Sequence, residues 1–95
     1  MSTQTTPTVH FSLGRTVITR GALEKLPNKA VLCGIARHTQ GDWGELCAED
    51  KQSNDAALQH GARLLSAFHT DDGQKFWIIT EADRSVTTVL LPEEY

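Results

Sequence analysis

The run Phe76-Trp77-Ile78-Ile79-Thr80 constrains the fold of this chain more than any other segment. It has the strongest β composition in the sequence, aromatic and β-branched side chains in succession. In a strand, Phe76, Ile78 and Thr80 share one face, and Trp77, Ile79 and Glu81 share the other. Both faces begin apolar, so the strand belongs at the centre of a sheet, with helix covering at least one side. Leu64–His69 reads as the preceding strand, and Asp71-Asp72-Gly73 supplies the hairpin turn between the two. Ala82-Asp83-Arg84 is a second tight connection, followed by a third strand over Val86–Leu91 that Pro92 ends. The last third is therefore expected to be a three-stranded antiparallel meander.

The first two thirds read as one strand and two helical segments. Val17 and Ile18 sit among Thr16 and Thr19 in a strand over residues 10–19, with Gly14 as a bend or bulge. Residues 21–26 form a short helical turn stopped by Pro27. Asn28 then caps a helix running to about Arg37 or His38, with Val31, Leu32, Ile35 and Ala36 at helical spacing and Gly41 at its end. Asp42, with Glu45 three residues later, has the form of a capping box for a longer helix ending at His60 and Gly61. On that helix Leu46, Asp50, Ser53, Asn54, Ala57 and Leu58 share a face that is apolar at both ends and polar in the middle. Asp50 and Asn54 therefore either meet water or make buried hydrogen bonds. The expected class is α+β, with the helices packed on one face of the sheet.

With 95 residues, this is one small domain, expected over residues 9–95 after a disordered tail over residues 1–8. A core of this size leaves little room for a deep substrate cavity. Met1–Thr8 has no basic residue and no apolar stretch of the signal-peptide kind. Cys33 and Cys47 do not form a disulfide framework, so a cytoplasmic chain with two reduced thiols is expected. The net charge of −3 divides unevenly. Residues 1–41 carry five bases and one acid, and residues 42–95 carry four bases and eleven acids.

Each candidate site has a structural counterpart. Asp42, Glu45, Glu49, Asp50 and Asp55 crowd one segment with a single base, Lys51. They read first as a solvated helix with acids at its N-terminus, and second as a surface imitating nucleic-acid phosphate. Glu81-Ala82-Asp83-Arg84-Ser85 reads as a turn in which Asp83 accepts backbone N–H bonds, or as a loop-borne acid–base site with Arg63 nearby. Trp43, flanked by Gly41-Asp42 and Gly44, is either a staple onto the core or an exposed anchor, the staple being favoured. His10, His38, His60 and His69 have no zinc-site spacing with either cysteine, so neither metal nor cofactor is expected. His38 and His60 fall near helix C-termini, where the imidazolium is mildly favoured. Cys33, between Leu32 and Ile35, reads as core, and neither cysteine has the electropositive neighbours of a nucleophile. Lys25, Lys29 and Arg37 give only a modest electrostatic footprint for nucleic acid.

A set of motifs over Arg37–Tyr95 carries a resemblance. It comprises His38, Gly41-Asp42-Trp43-Gly44, Asp50, Asn54, Ala57-Leu58, Gly61, and Arg63-Leu64-Leu65-Ser66. Trp77 through Thr88 (WIITEADRSVTT) and Leu90-Leu91-Pro92-Glu93-Glu94-Tyr95 complete it, and Leu13-Gly14, Thr19 and Gly21-Ala22-Leu23 also fit. The sequence resembles a family of small bacterial proteins found on plasmids, integrative elements and phages. Some members are described as a type I restriction methylation subunit. A methyltransferase needs a much longer nucleotide-binding domain with a Gly-rich cofactor turn, which these 95 residues do not contain. The resemblance implies an accessory or anti-defence setting.

Two functions are expected from these readings. The first is a non-enzymatic interaction module of mobile elements that regulates or inhibits host nucleic-acid machinery through Trp43, Asp42, Asp50, Asn54, Arg63, Asp83 and Arg84. The alternative is a small enzyme acting on nucleic acid, with a site around Asp83 and Arg84. The expected partners are a host protein and, because a meander leaves edge strands, a second copy of the chain. Direct nucleic-acid binding is disfavoured, and no membrane association is expected.

Overall fold

A computed structural model describes residues 11–95. The expected tail, Val9 and His10, the first residue of the expected strand, lie outside them. The elements follow in the order β1 (Arg15–Ile18), α1 (Arg20–Lys25), α2 (Asn28–Thr39), α3 (Ala48–His60), β2 (Leu64–His69), β3 (Lys75–Thr80) and β4 (Val86–Leu90), then a 3-10 turn over Pro92–Glu94. The class is α+β. No helix among the described residues is long and apolar enough to cross a membrane.

The sheet is four-stranded and mixed, in the order β1-β4-β3-β2, rather than the three-stranded antiparallel meander expected. β2, β3 and β4 pair antiparallel, with Leu64 opposite Thr80 and Ile78 opposite Val89. The N-terminal strand then adds to β4 in parallel, Thr16 beside Thr87 and Ile18 beside Val89. A parallel pair needs a long crossover between its strands, and everything from α1 to β3 supplies it.

Both faces of β3 are covered. On one face Phe76 and Ile78 join Ala22, Leu26, Phe68, Val89 and Leu91 in the main core cluster, with Ile18, Ala30, Val31 and Ile35 packed against it. α2 comes close to the sheet here because Gly34 has no side chain: a Cβ at that position would lie 2.9 Å from the Phe76 ring. A second cluster, Trp43, Ala57 and Leu64, lies under α3 with Phe11, Leu46 and Leu58. On the opposite face, Tyr95 stacks edge-on against Trp77, with ring centroids 5.6 Å apart.

Four local expectations are corrected. Asp42 does not cap a helix: α3 starts at Ala48, after Cys47, and residues 42–47 form a loop. Gly41 and Gly44 both have positive φ, which breaks any helical continuation between them. Pro27, not Asn28, occupies the cap position of α2. Cys33 is exposed, not core, because Gly34, Ile35 and His38 turn the buried stripe of α2 away from it. His38 is completely buried, so the helix terminus does not charge it.

Candidate interaction surface

The interior holds one continuous polar chain, centred on His38. Its Nδ1 lies 2.5 Å from Ser66 Oγ and its Nε2 lies 2.9 Å from Thr80 Oγ1. Thr80 Oγ1 lies 2.7 Å from Thr87 Oγ1, and the Thr87 hydroxyl donates to the Leu13 carbonyl at 2.7 Å. Each hydroxyl has one proton, which fixes the direction of every bond. Thr87 spends its proton on Leu13, so Thr80 must donate to Thr87. Thr80 oxygen then accepts from Nε2–H, and the bare Nδ1 accepts from Ser66. His38 is thus neutral, protonated at Nε2. Burial is the main force that holds its pKa down, to about 4, and the Arg84 charge adds to it. Phe11 and Trp43 meet the imidazole edge-on at 5.3 and 5.6 Å. Ser66, Thr80 and Thr87 have no exposed surface at all, so this chain positions elements rather than meeting a substrate.

The turn after β3 is equally occupied. Arg84 adopts φ 61, the left-handed conformation, and its guanidinium turns inward. The two Nη1 protons are shared among the carbonyls of Ala62, Glu81 and Ala82, at 2.7, 3.1 and 3.3 Å, and Nη2 donates to that of Ala57 at 3.1 Å. A cation on the last carbonyls of α3 is favourably placed against the helix dipole. Asp83 accepts from the Ser85 hydroxyl at 2.6 Å and the Ser85 amide at 3.0 Å. These two bonds, the hydroxyl first, hold its carboxyl below the ordinary value. Arg63 pairs with Glu81 at 3.4 Å and donates to the Tyr95 hydroxyl at 2.8 Å. Asp83, Arg84 and Arg63 are therefore engaged separately and do not converge with a histidine on a common cleft. Among the described residues no group of acids, histidines and cysteines is arranged to hold a metal ion.

The expected acidic surface is also largely consumed. Asp42 binds Arg37 through both oxygens, at 2.7 and 3.3 Å, and accepts from the Gly44 amide at 3.1 Å. The Arg37 bond holds its carboxyl below the ordinary range. Glu45 pairs with His69. Asp55 accepts from Trp43 Nε1 at 3.0 Å, which fixes the buried indole as a staple. Glu49 and Asp50 stay exposed in the first turn of α3.

These contacts serve the edges of the sheet, and the two edges differ. On β2 the outward groups of Leu65 and Ala67 are each sealed. The buried Asn54 amide imitates a neighbouring strand, donating to Leu65 O at 2.6 Å and accepting from Leu65 N at 3.2 Å. Ala67 donates to Trp43 O at 3.2 Å and accepts from Glu45 N at 2.8 Å. Gly44 is needed there, since a Cβ would collide with the Ala67 carbonyl. Asn54, Trp43 and Asp42 thus resolve as one edge-sealing device that residue spacing alone did not reveal.

β1, at the other edge, pairs with β4 alone. The amides of Arg15 and Thr19 bond Ser85 O and Val89 O, so by alternation Thr16 and Ile18 aim their main-chain groups outward. Among the described residues nothing bonds them. Beside this edge, on the helix-covered face, runs a groove of about 350 Å³ lined by Ile18, Leu23, Val31, Leu32 and Ile35. Leu23 and Leu32 are 61% and 67% exposed, which makes them the large aliphatic side chains most open to water here. A second groove, floored by Phe68, Phe76 and Gly34, sets Lys25, Lys29 and Arg37 against Asp71 and Asp72. Two of its cations are paired with acids outside it: Arg37 is held by Asp42, and Lys25 lies 3.9 Å from Glu93. Sequence reading missed the β1 groove because Leu32 fits the apolar spacing of α2 as well as the buried residues do.

No protein-family model, no curated protein and no solved structure matches the chain.

Proposed function

We propose that this chain is a non-enzymatic interaction module, and that its working surface is the outward edge of β1 with the groove of Leu23, Val31, Leu32 and Ile35. The observation that carries the reading is the contrast between the two edges. Asn54 and the Trp43–Glu45 loop satisfy β2, while Thr16 and Ile18 keep unpaired main-chain groups next to exposed leucines. An extended segment that adds to a sheet edge gains main-chain hydrogen bonds from the strand and side-chain specificity from the neighbouring pocket. The polar residues able to do chemistry, His38, Ser66, Asp83 and Arg84, are meanwhile tied into internal hydrogen bonds. The resemblance to proteins of plasmids, integrative elements and phages supports an accessory role, directed at host nucleic-acid machinery in the cytoplasm.

Affinity capture of the tagged chain from its native cells, with and without nuclease, tests this. A partner protein is expected that survives nuclease, is lost with Leu32→Glu and is retained with Asp83→Asn. Capture that vanishes with nuclease, or that Asp83→Asn alone abolishes, would overturn the reading.

A further inference from the structure

We infer that the strand received by the β1 edge is β1 of a second copy of this chain, in a two-fold antiparallel pairing centred on Val17. The inference rests on the interaction-module reading and names the occupant of the same surface.

The outward groups of β1 are self-complementary in one register only. When Val17 faces Val17 of the copy, Thr16 lies opposite Ile18 and Ile18 opposite Thr16. Both outward residues then exchange N–H and C=O bonds, four bonds across the axis. Centring on Thr16 would bring Gly14 opposite Ile18, but Gly14 has φ +64 and has left the strand conformation. Centring on Ile18 would bring Arg20 opposite Thr16, and Arg20 is already the first residue of α1. Any register shifted by one residue sets an outward residue against an inward one.

Side chains and charge agree with this register. Thr16 and Ile18 share the helix-covered face with Thr87 and Val89, so pairing sets the two apolar grooves side by side across the axis. Each copy's exposed Leu32 then has the other's groove to close on. On the opposite face, Arg15 falls across from Thr19 of the copy, at the spacing of a directly opposed pair, about 4.5–5.5 Å between Cβ atoms. Arg15 is exposed and has no ion-pair partner among the described residues. The Thr19 hydroxyl donates to the Glu94 carboxylate at 2.5 Å. That carboxylate is held below its ordinary pKa, first by Thr19 and then by the Leu91 amide, so it is an anion at neutral pH. The two-fold axis therefore brings a free cation from the basic first half of one copy to an anion from the acidic second half of the other.

The full-length chain, with Cys33 and Cys47 changed to Ser, is measured by size-exclusion chromatography with light scattering over a concentration series. A mass of twice 10.5 kDa is expected. Thr16→Pro removes an outward N–H that β4 does not use, a position where an edge strand tolerates proline, so a folded monomer is expected. Leu32→Glu, at an exposed site, is expected to give a monomer independently. Val17→Cys is expected to form a disulfide between copies, because directly opposed Cα atoms lie within disulfide reach, whereas Arg15→Cys is not. A monomer at every concentration, or a dimer that neither Thr16→Pro nor Leu32→Glu shifts and Val17→Cys does not cross-link, would overturn self-pairing. If the chain is monomeric while Leu32→Glu still abolishes capture of a host protein, self-pairing fails and the module reading survives. If the chain is monomeric and Leu32→Glu leaves capture unchanged, both fail.

Discussion

Acidification through the histidine range should destabilise this domain through His38. An unfolded histidine titrates near 6.5, and the folded His38 near 4. Between those values the unfolded chain binds a proton that the folded chain refuses. The stabilisation is therefore fully present above about pH 6.5, falls as pH drops towards 4, and is gone below it. The gap between those values corresponds to about 3 kcal/mol in all, most of which is lost between pH 7.5 and 4.5. The physical origin is burial first, since an imidazolium at this site would lose its hydration, and the nearby Arg84 charge second. Urea unfolding at the two pH values, followed by Trp fluorescence, should show the midpoint falling by about 2 M at the slope of a domain this small. His38→Gln is the control. It should be less stable at pH 7.5, and its midpoint should change far less across the window. Asp42, Asp72, Asp83 and Glu94, all held low by hydrogen bonds, lose their contributions mainly below this window and cancel in the comparison. Equal midpoint shifts in the two proteins would refute the assignment of His38 as a neutral, buried link.

Four further outcomes can be checked by similar means. Asn54→Leu leaves the N–H and C=O of Leu65 without partners and should cost about 2–3 kcal/mol in chemical denaturation. Gly44→Ala sets a Cβ against the Ala67 carbonyl at φ +73 and should cost at least about 2 kcal/mol, with the amide of Ala67 losing hydrogen-exchange protection. Arg84→Ala removes the bonds to four carbonyls and should cost about 2 kcal/mol, whereas Arg84→Gly should recover up to about 1 kcal/mol of that loss by relaxing the left-handed backbone. Both thiols should react promptly with a chromogenic disulfide in the native state, and one slow thiol would contradict the exposure of Cys33.

The elements with strong local chemistry were legible in the sequence. The central strand announced itself by apolar residues on both faces, the hairpin by Asp71-Asp72-Gly73, and the end of α3 by Gly61 in the left-handed region. Asp83 also behaves as a turn residue bonded to the amide two positions on. What failed depended on distant partners. Asp42 and Glu45 have the spacing of a capping box, but Arg37 and His69 lie within reach and take both carboxylates. Cys33 and Leu32 fit a helical apolar stripe, yet the packing of Gly34 on Phe76 selects the adjacent stripe. Ser66, a small polar residue on the inward face between Leu64 and Phe68, was the available sign that a buried polar partner was needed. Only the fold shows that the partner comes from α2.

The sealing of β2 has a consequence for how far association can proceed. A sheet with two open edges can polymerise, each arriving chain presenting a fresh edge to the next. In the β1–β1 pairing inferred above, the arriving copy offers only its own open edge, since Leu65 and Ala67 on its other edge are already held by Asn54 and the Trp43–Glu45 loop. Once two open edges have met, nothing is left to extend. In that pairing the stoichiometry is limited to two, and Asn54 and the Trp43–Glu45 loop together act as the chain terminator: with both gone, the same propensity to pair would lead towards a filament.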